Sequence, residues 1–310
     1  MDRRDFIRTG ATAAGGLAAS SKILESLAKA EEAAGSQEPV PDLKGRLPYG
    51  HIGKLKVSRM ILGGNLIGGW AHSRDLIYVE KLFKTYHNRS KVFQTFDLAM
   101  ACGINTFLTN PLLCDLIDDY RRNGGKIQFI SDCGEEPLLE AIQKSIDHGA
   151  CACYIQGLIG DQLVQEKQFD LIAKALELIR RNGLPAGVGG HKLETIKGCV
   201  DKGLRPDFWM KTLHQLNYWS ARPRQPEHDN IWCDNPEETT AYMHGLPEPW
   251  IAFKTLAAGA LEPQSGFRYA FESGADFICV GMFDFQIVDD VNIALGVLNG
   301  QLARSRQWRA

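Results

Sequence analysis

Eight short apolar runs, rich in β-branched and aromatic residues, recur along this chain: VSRMILGGN, INTFLTN, KIQFISDCG, ACACYIQG, PAGVGGH, DFWMKTLH, PWIAFKTL and DFICVGMFD. Between them lie longer segments whose apolar residues return every three or four positions. In EPLLEAIQKSIDHG these are Leu138, Leu139, Ile142 and Ile146; in QFDLIAKALELIRRNG they are Leu171, Ile172, Ala175, Leu176 and Ile179. That period lays one apolar stripe along a helix, whereas the short runs suit strands buried on both faces. Gly103, Gly149 and Gly183 close three of the helical segments and fit left-handed helix ends. Strands alternating with helices pair in parallel, because each helix carries the chain back along the sheet. The stretch from Val57 to Leu298 is close to the ~250 residues of a (β/α)8 TIM barrel. The predicted fold is therefore α/β, a closed (β/α)8 barrel over residues 49–300. A doubly wound open sheet is the alternative, since a strand count does not prove closure.

In such a barrel the reactive residues sit at the C-terminal ends of the strands. Those ends read Asn65, Asn110, Asp132, Gln156, His191, Lys211 with His214, Lys254 and Asp284. A rim this polar points to a small-molecule site. Lys211, Asp132, His191 and Lys254 are the candidate catalytic residues. Asn65, Trp70, Asn110, Gln156, His214 and Asp284 are the candidate substrate contacts. A lysine at the end of a buried strand needs water, a partner or a function. If Lys211 and Lys254 share the mouth, each lowers the other's pKa and an amine becomes available for a Schiff base. Pairing with Asp132 or Asp284, or fixing a substrate carboxylate or phosphate, is the other use of such charges. His191, His214, Asp132 and Asp284 are acid/base candidates, or ligands for a divalent metal of unknown type. GGNLIGGW lacks the spacing of a phosphate loop and reads as a tight turn presenting Trp70. Trp70, Trp209, Tyr218, Trp219 and Trp232 form either a stacking platform or packing. His51, His72, His87, His148, His228 and His244 fall in loops or helices, and most read as solvated. The long connection from Gln215 to Trp250 is a candidate substrate-recognition loop.

A formal net charge of −2 offers no broad electrostatic footprint for nucleic acid or an anionic membrane. No segment reaches the roughly 18 uninterrupted apolar residues that cross a bilayer. Most of the eight cysteines sit inside apolar runs and read as buried thiols. The expected partner is a small-molecule substrate.

MDRRDFIRTGATAAGGLAAS opens with Arg3 and Arg4, then Phe6 and Ile7, then a weakly apolar stretch, with AKA at 28–30 as a small-x-small site. It resembles a twin-arginine export signal. The resemblance implies residues 1–30 as signal, export of an already folded protein to the periplasm or envelope, and no membrane partner after signal removal. Residues 31–48 then read as a polar linker and 301–310 as a C-terminal tail.

LPYGHIGKLKVSRMILGGNLIGGW resembles the opening of the aldo/keto reductases, a short hairpin followed by a first strand and a Gly-rich turn. LAMACGINTFLTN, KTLAAGAL and VGMFDFQIVDDVNIALGVL resemble later segments of that family. The resemblance implies an enzyme acting on a small carbonyl or sugar-like substrate, with NADP as the family's cofactor and an Asp-Tyr-Lys-His set. At those four places this chain has Leu108, Leu113, Asp132 and Gln156, so the set is not retained and the usual acid is missing. The region after the eighth strand also lacks the Arg/Lys cluster expected to grip a 2′-phosphate. The cofactor is left unknown. Two lysines after strands six and seven resemble class I aldolase barrels, which makes a Schiff-base lyase using Lys211 the alternative activity, with a non-catalytic binding barrel as the third reading.

Overall fold

The computed structural model describes residues 40–73, 76–218, 220–221 and 232–310. The twin-arginine segment, residues 31–39 of the expected linker, Trp219 and His228 lie outside the described residues. Two short strands, β1 (Tyr49–Ile52) and β2 (Leu55–Ser58), form an antiparallel hairpin that turns at Gly53, φ 59°. Each of the eight predicted runs then supplies one parallel strand: β3 (Met60–Gly63), β4 (Thr106–Thr109), β5 (Gln128–Cys133), β6 (Ala152–Ile155), β7 (Ala186–Gly190), β8 (Phe208–Thr212), β9 (Trp250–Phe253) and β10 (Phe277–Val280). They pair in chain order and β10 closes on β3, so the sheet is a barrel and not an open one.

The helices are α1 (Asn65–Gly68), α2 (Val79–Tyr86), α3 (Arg89–Ala101), α4 (Cys114–Arg122), α5 (Leu138–Asp147), α6 (Gly157–Gln165), α7 (Phe169–Arg181), α8 (Leu193–Asp201), α9 (Pro236–His244), α10 (Pro263–Glu272) and α11 (Asp284–Asn299). The helical periodicity is realised in α7, which buries Ile172, Ala175, Leu176 and Ile179. Each large aliphatic side chain buried this way contributes about 2 kcal/mol. The three cap glycines all adopt positive φ: 91° at Gly103, 70° at Gly149 and 75° at Gly183.

Alternate strand residues fill the lumen, among them Ile61, Leu108, Ile130, Ala152, Tyr154, Met210, Ile251 and Phe277, with Ile52 and Val57 of the hairpin in the same cluster. On β7 the lumen side is glycine for lack of room. A Cβ at Gly187 would lie 2.5 Å from the Phe208 ring and 2.7 Å from Tyr154 Cβ. The opposite side chains face the helices, as where Phe107 meets Phe96 of α3 at 4.6 Å.

The end of the expected linker and the tail are both fastened to the barrel. Lys44 N donates to Asn292 on α11 (2.8 Å), and Leu47 is buried. Asp276, fully buried, accepts from Arg306 (2.7 Å) and from the backbone N–H of Arg309 (2.8 Å). Arg306 also donates to the carbonyls of Gly274, Leu246 and Glu248. Arg59 reaches the Ala310 carbonyl (2.8 Å), and Ala310 packs on the lumen cluster.

Candidate functional site

The upper lumen carries a carboxyl group. Asp132 pairs in register with Tyr154, so both side chains point inward. One of its carboxylate oxygens, Oδ1, is buried with no hydrogen-bond partner. Burial pushes the Asp132 carboxyl up to about 7, and the nearby Tyr154 and Gln156 side chains only partly oppose this. A half-buried acid near neutrality is a proton donor in waiting. Cys279 faces the same space from β10, its thiol pushed up to about 12 by burial and then by Asp132. Thr212 Oγ1, on the lumen side of β8, is also buried and unpartnered.

Above this floor lies a basic, aromatic rim. Lys254 follows β9 with φ 56°, and Ala257 and Ala258 next in the turn are also left-handed. Non-glycine residues hold that backbone only where the surroundings enforce it. Lys254 Nζ sits 3.9 Å from the centre of the Trp232 ring. No hydrogen bond or ion pair reaches Nζ among the described residues, and burial lowers the Lys254 pKa to about 8. Trp232 also meets the rings of His191 (5.0 Å) and His72 (5.6 Å). Burial lowers the His72 pKa, with smaller contributions from Lys254 and His191, so the three bases share one neighbourhood. His72 is exposed, as expected, and stands at the rim. Phe253 joins the two levels, packing on the lumen cluster and on His191 at 5.3 Å.

His191 is held by Asp161 of α6, a residue that no sequence pattern singled out. Asp161 accepts from the His191 backbone N–H and ring Nδ1 (both 3.1 Å), the Lys192 N–H (3.2 Å) and Thr195 Oγ1 (2.5 Å). Donation from Nδ1 leaves Nε2 as the nitrogen available for proton transfer. A Cβ at Gly157 would stand 3.0 Å from His191 Cε1, so glycine there lets the ring seat.

Lys211 corrects the expectation that two lysines share the mouth. Met210 faces the lumen, so Lys211 faces the helices. It is fully buried, and Nζ donates to the carbonyls of His191 (2.5 Å) and Thr212 (2.9 Å). Burial lowers its pKa as well, but its chemistry here is to tie the ends of β7 and β8 together. Asp284 is likewise engaged away from the lumen, accepting from Tyr86 (2.5 Å) and Lys91 (2.9 Å). Its burial alone raises the carboxyl, but the bonds from Tyr86 and Lys91 prevail and hold it below the usual range.

The remaining candidates are mostly structural in position. Asn110 caps the turn after β4 through Leu112 N–H (2.9 Å) and donates to the Asp132 carbonyl (3.3 Å). Asn65 is exposed, and its carbonyl accepts from Trp70 and Ala71. Trp70 is half-buried, covering Gly68. Trp209 is fully buried on the helix side, its indole N–H on Glu248 (3.2 Å), and offers no stacking surface. His87, expected to be solvated, is buried against Phe283 with ring centres 5.2 Å apart. His191, His214, Asp132 and Asp284 do not assemble as a metal centre; among the described residues no group of three or more His, Cys, Asp or Glu side chains is arranged to hold an ion.

No family model matches the chain, and no curated protein does. Two solved structures from Pseudomonas aeruginosa, both provisionally named aldo-keto reductases, superpose on it with TM-scores of 0.57 and 0.56. Each is 18% identical, and each alignment covers 83% of this chain and 99% of the other. The fold is that of an aldo/keto reductase-like barrel. The positions where the sequence resemblance places the family's Asp-Tyr-Lys-His set hold other residues here. Leu108 belongs to the lumen core, and Leu113 ends the turn after β4. The only tyrosine in the described lumen cluster, Tyr154, lies one inward-facing position below Gln156. NADP does not fit the residues present. The β10–α11 turn offers the carboxylate of Asp284 and an exposed Phe285 in place of basic side chains, and Lys91 is already committed to Asp284.

Proposed function

We propose that this aldo/keto reductase-like barrel is an enzyme of small carbonyl compounds in which Lys254 attacks as an amine and Asp132 supplies a proton. The observation that carries this reading is Lys254 itself. It is a strand-end amine without an acidic partner among the described residues, strained into the left-handed region and packed on an indole. A lysine poised near neutrality is a ready nucleophile for a carbonyl carbon. Attack by the neutral amine gives a carbinolamine; loss of water leaves a Schiff base, with the departing oxygen taking a proton from the acid side of the site. Asp132, half-protonated near pH 7, fits that role, and His191 oriented by Asp161 fits the return of the proton. The aromatic rim of Trp232 and Phe253 limits water around the amine.

The test is reductive trapping. Incubation with small aldehydes and 2-oxo acids followed by borohydride is expected to add one substrate mass to the peptide carrying Lys254, and K254M is expected to abolish it. Absence of any adduct across the panel, together with saturable binding of NADPH, would overturn the amine mechanism in favour of a reductase.

Export through the twin-arginine route belongs to the same proposal. What supports it is the Arg3–Arg4 pair ahead of a weakly apolar stretch.

A further inference from the structure

Two residues beyond the end of β8, His214 is buried at 1% exposure, and both of its ring nitrogens are engaged. Its Nε2 accepts the backbone N–H groups of Trp232 (2.9 Å) and Cys233 (3.1 Å). Two donors converging on Nε2 require it to be unprotonated, so the single ring proton sits on Nδ1 and is donated to the Gln215 carbonyl (3.1 Å). Trp232 is thereby fastened to the barrel wall at its backbone, while its indole covers Lys254 Nζ and touches His191 and His72. Cys233, buried next to it, continues into the start of α9.

We propose that His214 is a positioning residue for Trp232: by accepting the two backbone N–H groups it fixes the indole over Lys254 and so sets how openly that amine meets solvent and carbonyl compounds. The inference rests on Lys254 being the reactive amine, but the placement it describes is testable without any turnover. The environment keeps His214 neutral. Burial is the main cause, Lys211 and Lys254 add to it, the Gln215 carbonyl and Asp234 oppose it, and the net effect lowers the pKa to about 4. The Tyr218 ring lies 6.1 Å away. Protonation would turn the acceptor into a donor facing two donors.

The experiment uses the whole chain and two readouts. Acetic anhydride labelling of Lys254, followed by mass spectrometry, reports access to the amine. Acrylamide quenching, taken as the difference from the same protein carrying Trp232→Phe, isolates one of the six tryptophans. His214→Leu removes the acceptor shared by the two backbone N–H groups, so labelling is expected to rise about tenfold and Trp232 quenching with it. His214→Gln keeps an acceptor oxygen and is expected to stay near wild type in both. Where His214→Leu fails to fold, the acid arm decides. Between pH 6 and 3.5 the Trp232 quenching of the wild-type protein is expected to rise with a midpoint near pH 4, where His214 takes up its second proton, while far-ultraviolet circular dichroism holds. Unchanged labelling and quenching in folded His214→Leu, or a flat acid profile, would overturn the proposal. Failed borohydride capture alongside a positive His214 result would overturn the carbonyl mechanism alone.

Discussion

Asp132 and Tyr154 occupy paired positions on adjacent strands, and both project into the lumen of the barrel. The carboxyl is raised to about 7, mainly by burial. Its proton is therefore held more tightly in the folded than in the unfolded chain. The sign follows: stability relative to an unperturbed carboxyl is greatest at low pH and falls as pH rises from about 4 toward 7. D132N should be relatively more stable at pH 8 than at pH 5, by about 2–4 kcal/mol between the two conditions. Urea titrations of both proteins at the two pH values check this.

Asp161 should matter to folding and to the rim together. Replacing its carboxylate by an amide puts a donor where four donor groups already converge. D161N is expected to lose about 1–3 kcal/mol. In NMR spectra the His191 ring resonances should shift more than those of His148, a distant surface histidine. An unmoved His191 signal would contradict the orientation assigned to Asp161.

Gly187→Ala should act on the floor of the site from a residue that has no chemistry. The added methyl meets the Phe208 ring and Tyr154. Overpacking of this kind costs about 1–3 kcal/mol. Thermal denaturation will read the cost, and the near-ultraviolet tyrosine signal should change with it.

Arg306→Ala leaves Asp276 with one fewer buried cation and frees three carbonyls. Breaking a buried pair from one side typically costs about 3–5 kcal/mol. Arg306→Lys should recover little, because one ammonium cannot span the contacts of a guanidinium. Equilibrium unfolding of the two variants compares them directly.

Arg3→Lys combined with Arg4→Lys should leave the precursor in the cytoplasm if the twin-arginine reading holds. Fractionation and immunoblotting decide it; unchanged export of the double variant would remove that reading.

Much of the barrel was legible because strand runs alternate with helical segments, several of which end on glycine, as at Gly103, Gly149 and Gly183. The facing of individual side chains was not. β8 is buried at every position, so it shows no alternation of polar and apolar residues that would tell Met210 from Lys211. A shift of one residue decides between lumen and helix layer, and nothing local in DFWMKTLH carries that information. The positions of Asp132 and Lys254 at strand ends were readable because the bounds of those strands were clear. Asp161 lies mid-helix in the largely apolar GLIGDQLVQ with no motif around it, and its role depends on β7 delivering His191 beside it. His72 and Trp232 come from connections, whose meeting over Lys254 is fixed only once the ring has closed.

The hairpin and the C-terminal residues around Asp276 and Arg306 occupy the end of the barrel opposite the strand tips. With that end filled, the described residues leave the strand-tip face as the approach to Asp132 and Lys254. On the carbonyl chemistry proposed above, accumulated product should compete with incoming substrate for that one passage.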